Sequence, residues 1–169
     1  MPRLYRSPLS TKRRGPTGLS RSIRRPGFTF VELLASLTLI GLMTRLAVPR
    51  YRDIAERARV AKATGDIRAL QTDLLSQDSL PPSLAAINRQ TLLDPWGRPY
   101  VYFKFPPTKS KAPPAGARRD RFLVPVNSQF DLYSLGKDGA SSPPFTAKAS
   151  QDDVVRANDG GYIGLAKKF

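Results

Sequence analysis

The sequence predicts an α+β protein in which one long N-terminal helix is followed by a small antiparallel sheet. Three observations predict it: a mostly apolar run over 28–48, an apolar stripe at helical spacing over 60–74, and aromatic or β-branched segments after residue 99. At about 1.5 Å per residue, the first run would span roughly 31 Å as a helix, which matches the hydrocarbon core of a membrane. The first half of the helix is therefore predicted to be transmembrane, and the second half to pack on the sheet.

The N-terminal segment is strongly basic. The chain of 169 residues has a net charge of +15, and residues 1–27 contain eight of its 28 Lys and Arg residues and no acid. This segment is also rich in Ser, Pro and Gly, so it lacks the apolar surface needed to fold alone. The positive-inside rule places it in the cytoplasm and the C-terminal portion on the other side of the membrane. Attraction to anionic lipid explains its arginines.

The helix is predicted to continue past Pro49 to about Ser76. Its second half carries apolar residues at intervals of three and four: Val60, Ala63, Ile67, Leu70 and Leu74. This spacing places them on one face, which needs a sheet to cover it. Pro49 removes one backbone donor and should kink the helix where it leaves the membrane.

Three strands are predicted from aromatic and β-branched composition, at 99–105, 122–126 and 129–134. Residues 84–93 are predicted to form a turn-rich or short helical connection. Residues 158–164, which contain Asn-Asp-Gly-Gly, are predicted to form a turn.

The composition excludes several classes of active site. The chain contains no Cys and no His, which removes Cys and His nucleophiles, histidine acid–base catalysis, zinc sites of the Cys/His type and disulfides. We find no Gly-rich phosphate loop and no carboxylate pair in a plausible cleft. The protein is therefore predicted not to be an enzyme, and any bound metal would need oxygen ligands, which favours calcium or magnesium.

A carboxylate, Glu32, lies five residues into the apolar run, where a charge is costly and indicates a function. The segment Gly-Phe-Thr-Phe-Val-Glu at 27–32, between a basic stretch and an apolar helix, resembles the N-terminal signature of type IV pilins and type II secretion pseudopilins. The resemblance implies that a prepilin peptidase cleaves between Gly27 and Phe28 and methylates the new N-terminus at Phe28. It also implies that Glu32 neutralises the terminal amine of a neighbouring subunit during assembly.

Four downstream blocks narrow the resemblance. They are Asp-Pro-Trp-Gly at 94–97, Tyr-Val-Tyr at 100–102, Phe-Asp-Leu-Tyr-Ser-Leu-Gly-Lys-Asp-Gly at 130–139 and Asp-Asp at 152–153. In this order they resemble the major pseudopilin of type II secretion. The resemblance implies a Ca²⁺ site formed by the Leu135 carbonyl and the carboxylates of Asp138, Asp152 and Asp153. On spacing alone these aspartates also fit solvated turns, because Asp138-Gly139 is a turn signal and no EF-hand pattern is present.

The resemblance implies a type IV pilin-like ladle with three parts. These are a leader, 1–27, removed by the peptidase; a transmembrane and assembly helix, 28–48; and a periplasmic globular domain, 49–169, that includes the second half of the helix. The implied function is that of a structural subunit of the type II secretion pseudopilus, a homopolymer that drives protein export across the outer membrane. The implied partners are the inner membrane, the prepilin peptidase, minor pseudopilins, and an assembly ATPase with its inner-membrane platform.

Two alternatives remain open. The first is a major or minor type IV pilin for adhesion, motility or DNA uptake, although the cysteine pair common in pilins is absent. The second is a DNA-binding or membrane-anchored interaction module that uses the basic tail. That tail has one aromatic residue for stacking, Tyr5, and no recognisable nucleic-acid fold follows it, so no nucleic-acid partner is predicted.

Overall fold

The computed structural model describes residues 27–107 and 112–169. Of the predicted leader, only Gly27 falls within the described residues. The chain divides into two compact units, Met1–Leu42 and Met43–Phe169. The predicted boundary between 48 and 49 stays a prediction.

One long helix, α1, runs over Phe30–Leu75 and contains Pro49 in its interior. The prediction that the helix continues past this proline to about residue 76 is confirmed, while the kink at Pro49 stays a prediction. A 3₁₀ helix at Leu84–Ile87 follows, within the predicted connection.

The sheet has four antiparallel strands in the order β1-β2-β3-β4. The strands are β1 (Val101–Lys104), β2 (Phe130–Ser134), β3 (Val154–Ala157) and β4 (Tyr162–Leu165). Each strand pairs with its neighbour in the chain, with Tyr102 opposite Leu132 and Val155 opposite Gly164. The predicted strands at 99–105 and 129–134 are confirmed as β1 and β2.

The predicted strand at 122–126 is wrong. Pro125 has no amide hydrogen for a ladder, and the neighbouring amides bond locally instead. The amide of Asp120 donates to the Leu123 carbonyl at 2.9 Å, and the amide of Val126 donates to the Arg118 carbonyl at 2.9 Å. These bonds form a turn in which Val126 is buried and Phe122 is 90% exposed.

The last hairpin was not predicted. Only its turn, the 3₁₀ helix Asn158–Gly160, lies where a turn was predicted, whereas Tyr162–Leu165 forms β4. The composition of this segment did not predict a strand, because glycine is depleted in strands.

The main core lies between the second half of α1 and one face of the sheet. The buried stripe of α1 consists of Ala63, Ile67, Leu70 and Leu74, and it packs with Leu84, Tyr100, Phe130, Leu132 and Val154. Val60 is partly buried against the same cluster, so the predicted apolar stripe is confirmed.

A second cluster covers the opposite face of the sheet. It contains Val126, Phe145, Val155, Ala157 and Ala166. Val154 belongs to the first cluster and Val155 to the second because successive strand residues point to opposite faces. The loops around 117–126 and 140–150 therefore lie over the face that α1 leaves open.

Candidate functional site

The predicted cleavage point precedes α1 directly. Gly27 and Phe28 have no regular secondary structure, and the Phe28 side chain is 77% exposed. Helix α1 begins two residues later, and the Glu32 amide donates to the Thr29 hydroxyl at 3.2 Å. Thr29 therefore caps the helix, and Glu32 lies in its first turn, where the helix dipole favours a carboxylate.

The first half of α1 exposes an apolar surface. By length and composition the helix can cross a membrane, and its most apolar stretch contains no buried residue. Its hydroxyl groups are bonded inside the helix: Ser36 donates to the Glu32 carbonyl at 2.8 Å and Thr38 to the Ala35 carbonyl at 2.8 Å. An apolar surface of this extent needs lipid or protein to cover it.

The Asp-Pro-Trp-Gly block is a structural turn. One carboxylate oxygen of the buried Asp94 accepts the amides of Trp96 at 3.0 Å and Arg98 at 2.8 Å. The other oxygen accepts the Ser134 hydroxyl of β2 at 2.5 Å. The Trp96 indole donates to Glu56 of α1 at 3.2 Å. This turn therefore joins α1 to the sheet.

The predicted calcium ligands lie in the segment between β2 and β3, residues 135–153, which we call the C-terminal loop. Asp152 accepts the amides of Lys137 and Asp138, both at 2.9 Å, through the same carboxylate oxygen. The guanidinium of Arg98 donates to the Gly136 carbonyl at 2.8 Å. Protein groups therefore hold the first turn of this loop from both sides.

The four predicted ligands make separate contacts. The Leu135 carbonyl accepts the Gly139 amide at 3.2 Å, and the exposed Asp138 accepts the Ala140 amide at 2.8 Å. Asp153 is fully buried and faces Arg118. Among the described residues, no three acidic side chains come together as a metal site. The Ca²⁺ site stays a prediction, and these contacts do not support it.

The sequence did not predict the group that Asp153 binds. Arg118 is 2% exposed and forms an ion pair with Asp153 at 2.5 Å. Burial raises the pKa of the Asp153 carboxyl to about 6, while the Ser141 hydroxyl and the Arg118 guanidinium act in the opposite direction. Arg118 lies in a cation-rich segment beside the exposed Arg119, and no local pattern distinguishes the two.

The close packing of the C-terminal loop predicts a large effect at Gly136. Its backbone has a φ of +61°, and an added Cβ would lie 2.3 Å from the Asp152 carbonyl oxygen. We expect Gly136→Ala to destabilise the fold by about 2–4 kcal/mol, from the left-handed backbone and the overpacking together. Thermal unfolding of the full chain in detergent micelles, followed by fluorescence of Trp96, measures this loss.

Gly65→Ala is the matched control, with the opposite sign. Gly65 lies inside α1, and an added Cβ there meets no atom within 4 Å. Alanine should raise stability by about 0.5–1 kcal/mol, because it loses less backbone entropy in a helix than glycine does. Equal melting temperatures for the two variants would contradict the packing described for Gly136.

Comparisons with known proteins give two kinds of relatives. The type II secretion system core protein G of Pseudomonas aeruginosa is 27% identical over 141 residues, which cover 69% of this chain and 86% of that protein. The core protein G of Escherichia coli is 28% identical over 170 residues, covering 86% and 95%. A fimbrial protein of Pseudomonas aeruginosa is 37% identical over 46 residues, covering 27% and 30%. No family model matches the chain. No solved structure matches it.

The long apolar helix, its packed second half and the four-stranded antiparallel sheet define an α+β protein of the type IV pilin-like class. Within that class, the relatives that match over most of the chain are core protein G, and this confirms the resemblance to the major pseudopilins. None of these relatives is named as an enzyme, in agreement with the predicted structural role.

Proposed function

We propose that this chain is a structural subunit of a type II secretion pseudopilus and polymerises through its N-terminal helix to drive protein export. The observation that carries the proposal is the match to core protein G over 86% of this chain and 95% of the relative. A match of this extent includes the globular part of the chain and not only a membrane helix.

The exposed apolar surface of the first half of α1 supports a subunit that moves from a membrane into a filament. Before assembly, lipid of the inner membrane covers the apolar surface, with the basic residues 1–27 in the cytoplasm and the globular part in the periplasm. After assembly, the helices of neighbouring copies cover it. The same surface thus serves as a single-pass anchor and as a polymerisation face.

Processing comes first in this proposal. The prepilin peptidase removes 1–27 and methylates the amine of Phe28, and Glu32 of one subunit then pairs with the amine of the next. An assembly ATPase acting through an inner-membrane platform, together with minor pseudopilins, completes the proposed set of partners. The exposure of Gly27 and Phe28 supports cleavage between them, because a peptidase needs an accessible bond.

Mass spectrometry of the protein from its native membrane tests the processing. We expect a mature N-terminus at N-methylated Phe28. Gly27→Leu should leave the leader attached, because the side chain blocks the peptidase, and a Cβ at this position meets no atom of the fold within 4 Å. Gly18→Leu, a glycine substitution within the leader, is the control and should be processed normally. An uncut wild-type chain would contradict the proposal.

A type IV pilin is the second candidate, favoured by the 37% identity to a fimbrial protein over 46 residues. Deleting the gene separates the two functions. A pseudopilin deletion should leave exported proteins in the periplasm with surface pili intact, whereas a pilin deletion should remove surface pili and leave export unchanged.

A further inference from the structure

A buried arginine, Arg118, binds residues at both ends of the second half of the C-terminal loop. One terminal nitrogen of Arg118 binds Asp153 at 2.5 Å, and the other donates to the Ser142 carbonyl at 2.8 Å and to the Ser141 hydroxyl. The Ser141 hydroxyl in turn donates to Asp153 at 2.5 Å. A single guanidinium therefore joins residues 141–142 to the residue that precedes β3.

Two aromatic rings lie next to the Arg118 guanidinium. Its central carbon lies 4.3 Å from the centre of the Tyr133 ring and 5.2 Å from the centre of the Phe145 ring. Rings at these distances attract a cation and exclude water from the ion pair. The planar guanidinium fits this environment, which a compact and strongly hydrated lysine ammonium does not.

The unpaired atoms of this site belong to the same two residues. Among the described residues, the buried side-chain atoms without a hydrogen bond are Nε of Arg118 and Oδ1 of Asp153. They are the donor and acceptor of the second bond in a bidentate arginine–carboxylate pair. Each therefore has its chemical complement within the pair.

A second arginine, Arg98, forms a hydrogen bond to the first half of the C-terminal loop. Arg98 donates to the Gly136 carbonyl, while Asp152 accepts the amides of the next two residues. Gly139 makes room for this arginine, because an added Cβ there would lie 2.4 Å from the guanidinium carbon. The Gly136 carbonyl and one carboxylate oxygen each of Asp152 and Asp153 are thus bonded to donors of this chain.

We propose that Arg118, assisted by Arg98, takes the place that the family resemblance assigns to calcium, so that the C-terminal loop is ordered without a metal. A buried carboxylate needs a compensating cation, and a guanidinium attached to the chain supplies one at any calcium concentration. The subunit would then fold and keep its loop conformation where calcium is scarce. This inference concerns the fold and does not depend on the proposed function.

Calcium titration of the wild-type protein is the first test. The full chain in detergent micelles, freed of metal with a chelator, is melted with and without millimolar CaCl₂ while Trp96 fluorescence is followed. We expect no change in melting temperature. Saturation of a site specific for the folded chain would raise it by roughly 5–10 °C. A rise of that size with CaCl₂ but not with MgCl₂ would overturn the proposal.

Substitution of the arginine is the second test. Arg118→Met keeps much of the volume but leaves Asp153 buried without a cation, and we expect the melting temperature to fall by roughly 10 °C. Arg119→Met, at the exposed neighbour, should melt like the wild type. The double variant Arg118→Met with Asp153→Leu should recover part of the loss, because neither charge of this pair then remains buried without its partner.

Two outcomes would count against the proposal: an Arg118→Met protein as stable as the wild type, or a double variant that recovers nothing. Should Arg118→Met fail to fold, the calcium titration of the wild-type chain decides the question alone.

Discussion

Replacing Glu32 by leucine is expected to abolish filament assembly and to leave the subunit in the membrane. Glu32 lies in the first turn of α1 with its side chain exposed on an otherwise apolar surface. A carboxylate in an apolar environment costs several kcal/mol unless a cation pairs with it. In the proposed filament that cation is the amine of Phe28 on a neighbouring subunit, so Glu32→Leu leaves this amine unpaired.

The expected loss of filament stability is large, because each contact between neighbouring subunits loses the same ion pair. Breaking one buried ion pair costs about 3–5 kcal/mol, which weakens each contact by roughly two to four powers of ten. Electron microscopy of filaments from cells overexpressing the chain, together with membrane fractionation, measures assembly and insertion separately.

Ser36→Leu is the matched control for Glu32→Leu. Ser36 lies one helical turn further along α1, and its hydroxyl bonds to the Glu32 carbonyl within its own helix. Its removal therefore leaves no charge unpaired, and filaments should form. Normal filaments from Glu32→Leu would show that the carboxylate only helps to start the helix, next to the Thr29 cap.

Replacing Phe130 by alanine is expected to cost about 3–5 kcal/mol of folding stability. Phe130 lies at the start of β2, is fully buried and belongs to the core beneath α1. Its ring centre is 5.5 Å from that of Tyr102 and 4.1 Å from the guanidinium of Arg156. Alanine leaves a cavity there and removes both ring contacts.

Phe122→Ala is the control for Phe130→Ala, since the substitution is the same and the ring is 90% exposed. It should change stability by no more than about 0.5 kcal/mol. Melting of the full chain in detergent micelles compares the two, and the Phe130 variant should unfold roughly 10 °C lower. A similar effect at both positions would mean that the core does not lie where the structure places it.

The helix and the N-terminal signature were predictable from the order of residues along the chain. The stripe from Val60 to Leu74 was predictable because a helix repeats every 3.6 residues, so that local spacing decides which side chains share a face. Strands β1 and β2 were predictable from their aromatic and β-branched residues. The signature around Glu32 can be recognised from the order of its residues along the chain. The relatives agree with the class of protein that this signature indicates.

The last hairpin and the contacts of the C-terminal loop were not predictable from the sequence, because they depend on pairing between distant segments. Strand β4 contains a glycine and forms because it pairs with β3 along four residues. Arg118 and Arg119 are adjacent and chemically identical, yet only Arg118 is buried against Asp153. Burial and pairing depend on which distant segments meet, and Arg118 and Asp153 are 35 residues apart. No local pattern carries that information, because the free energy that fixes the contact arises only once the sheet has brought the two segments together.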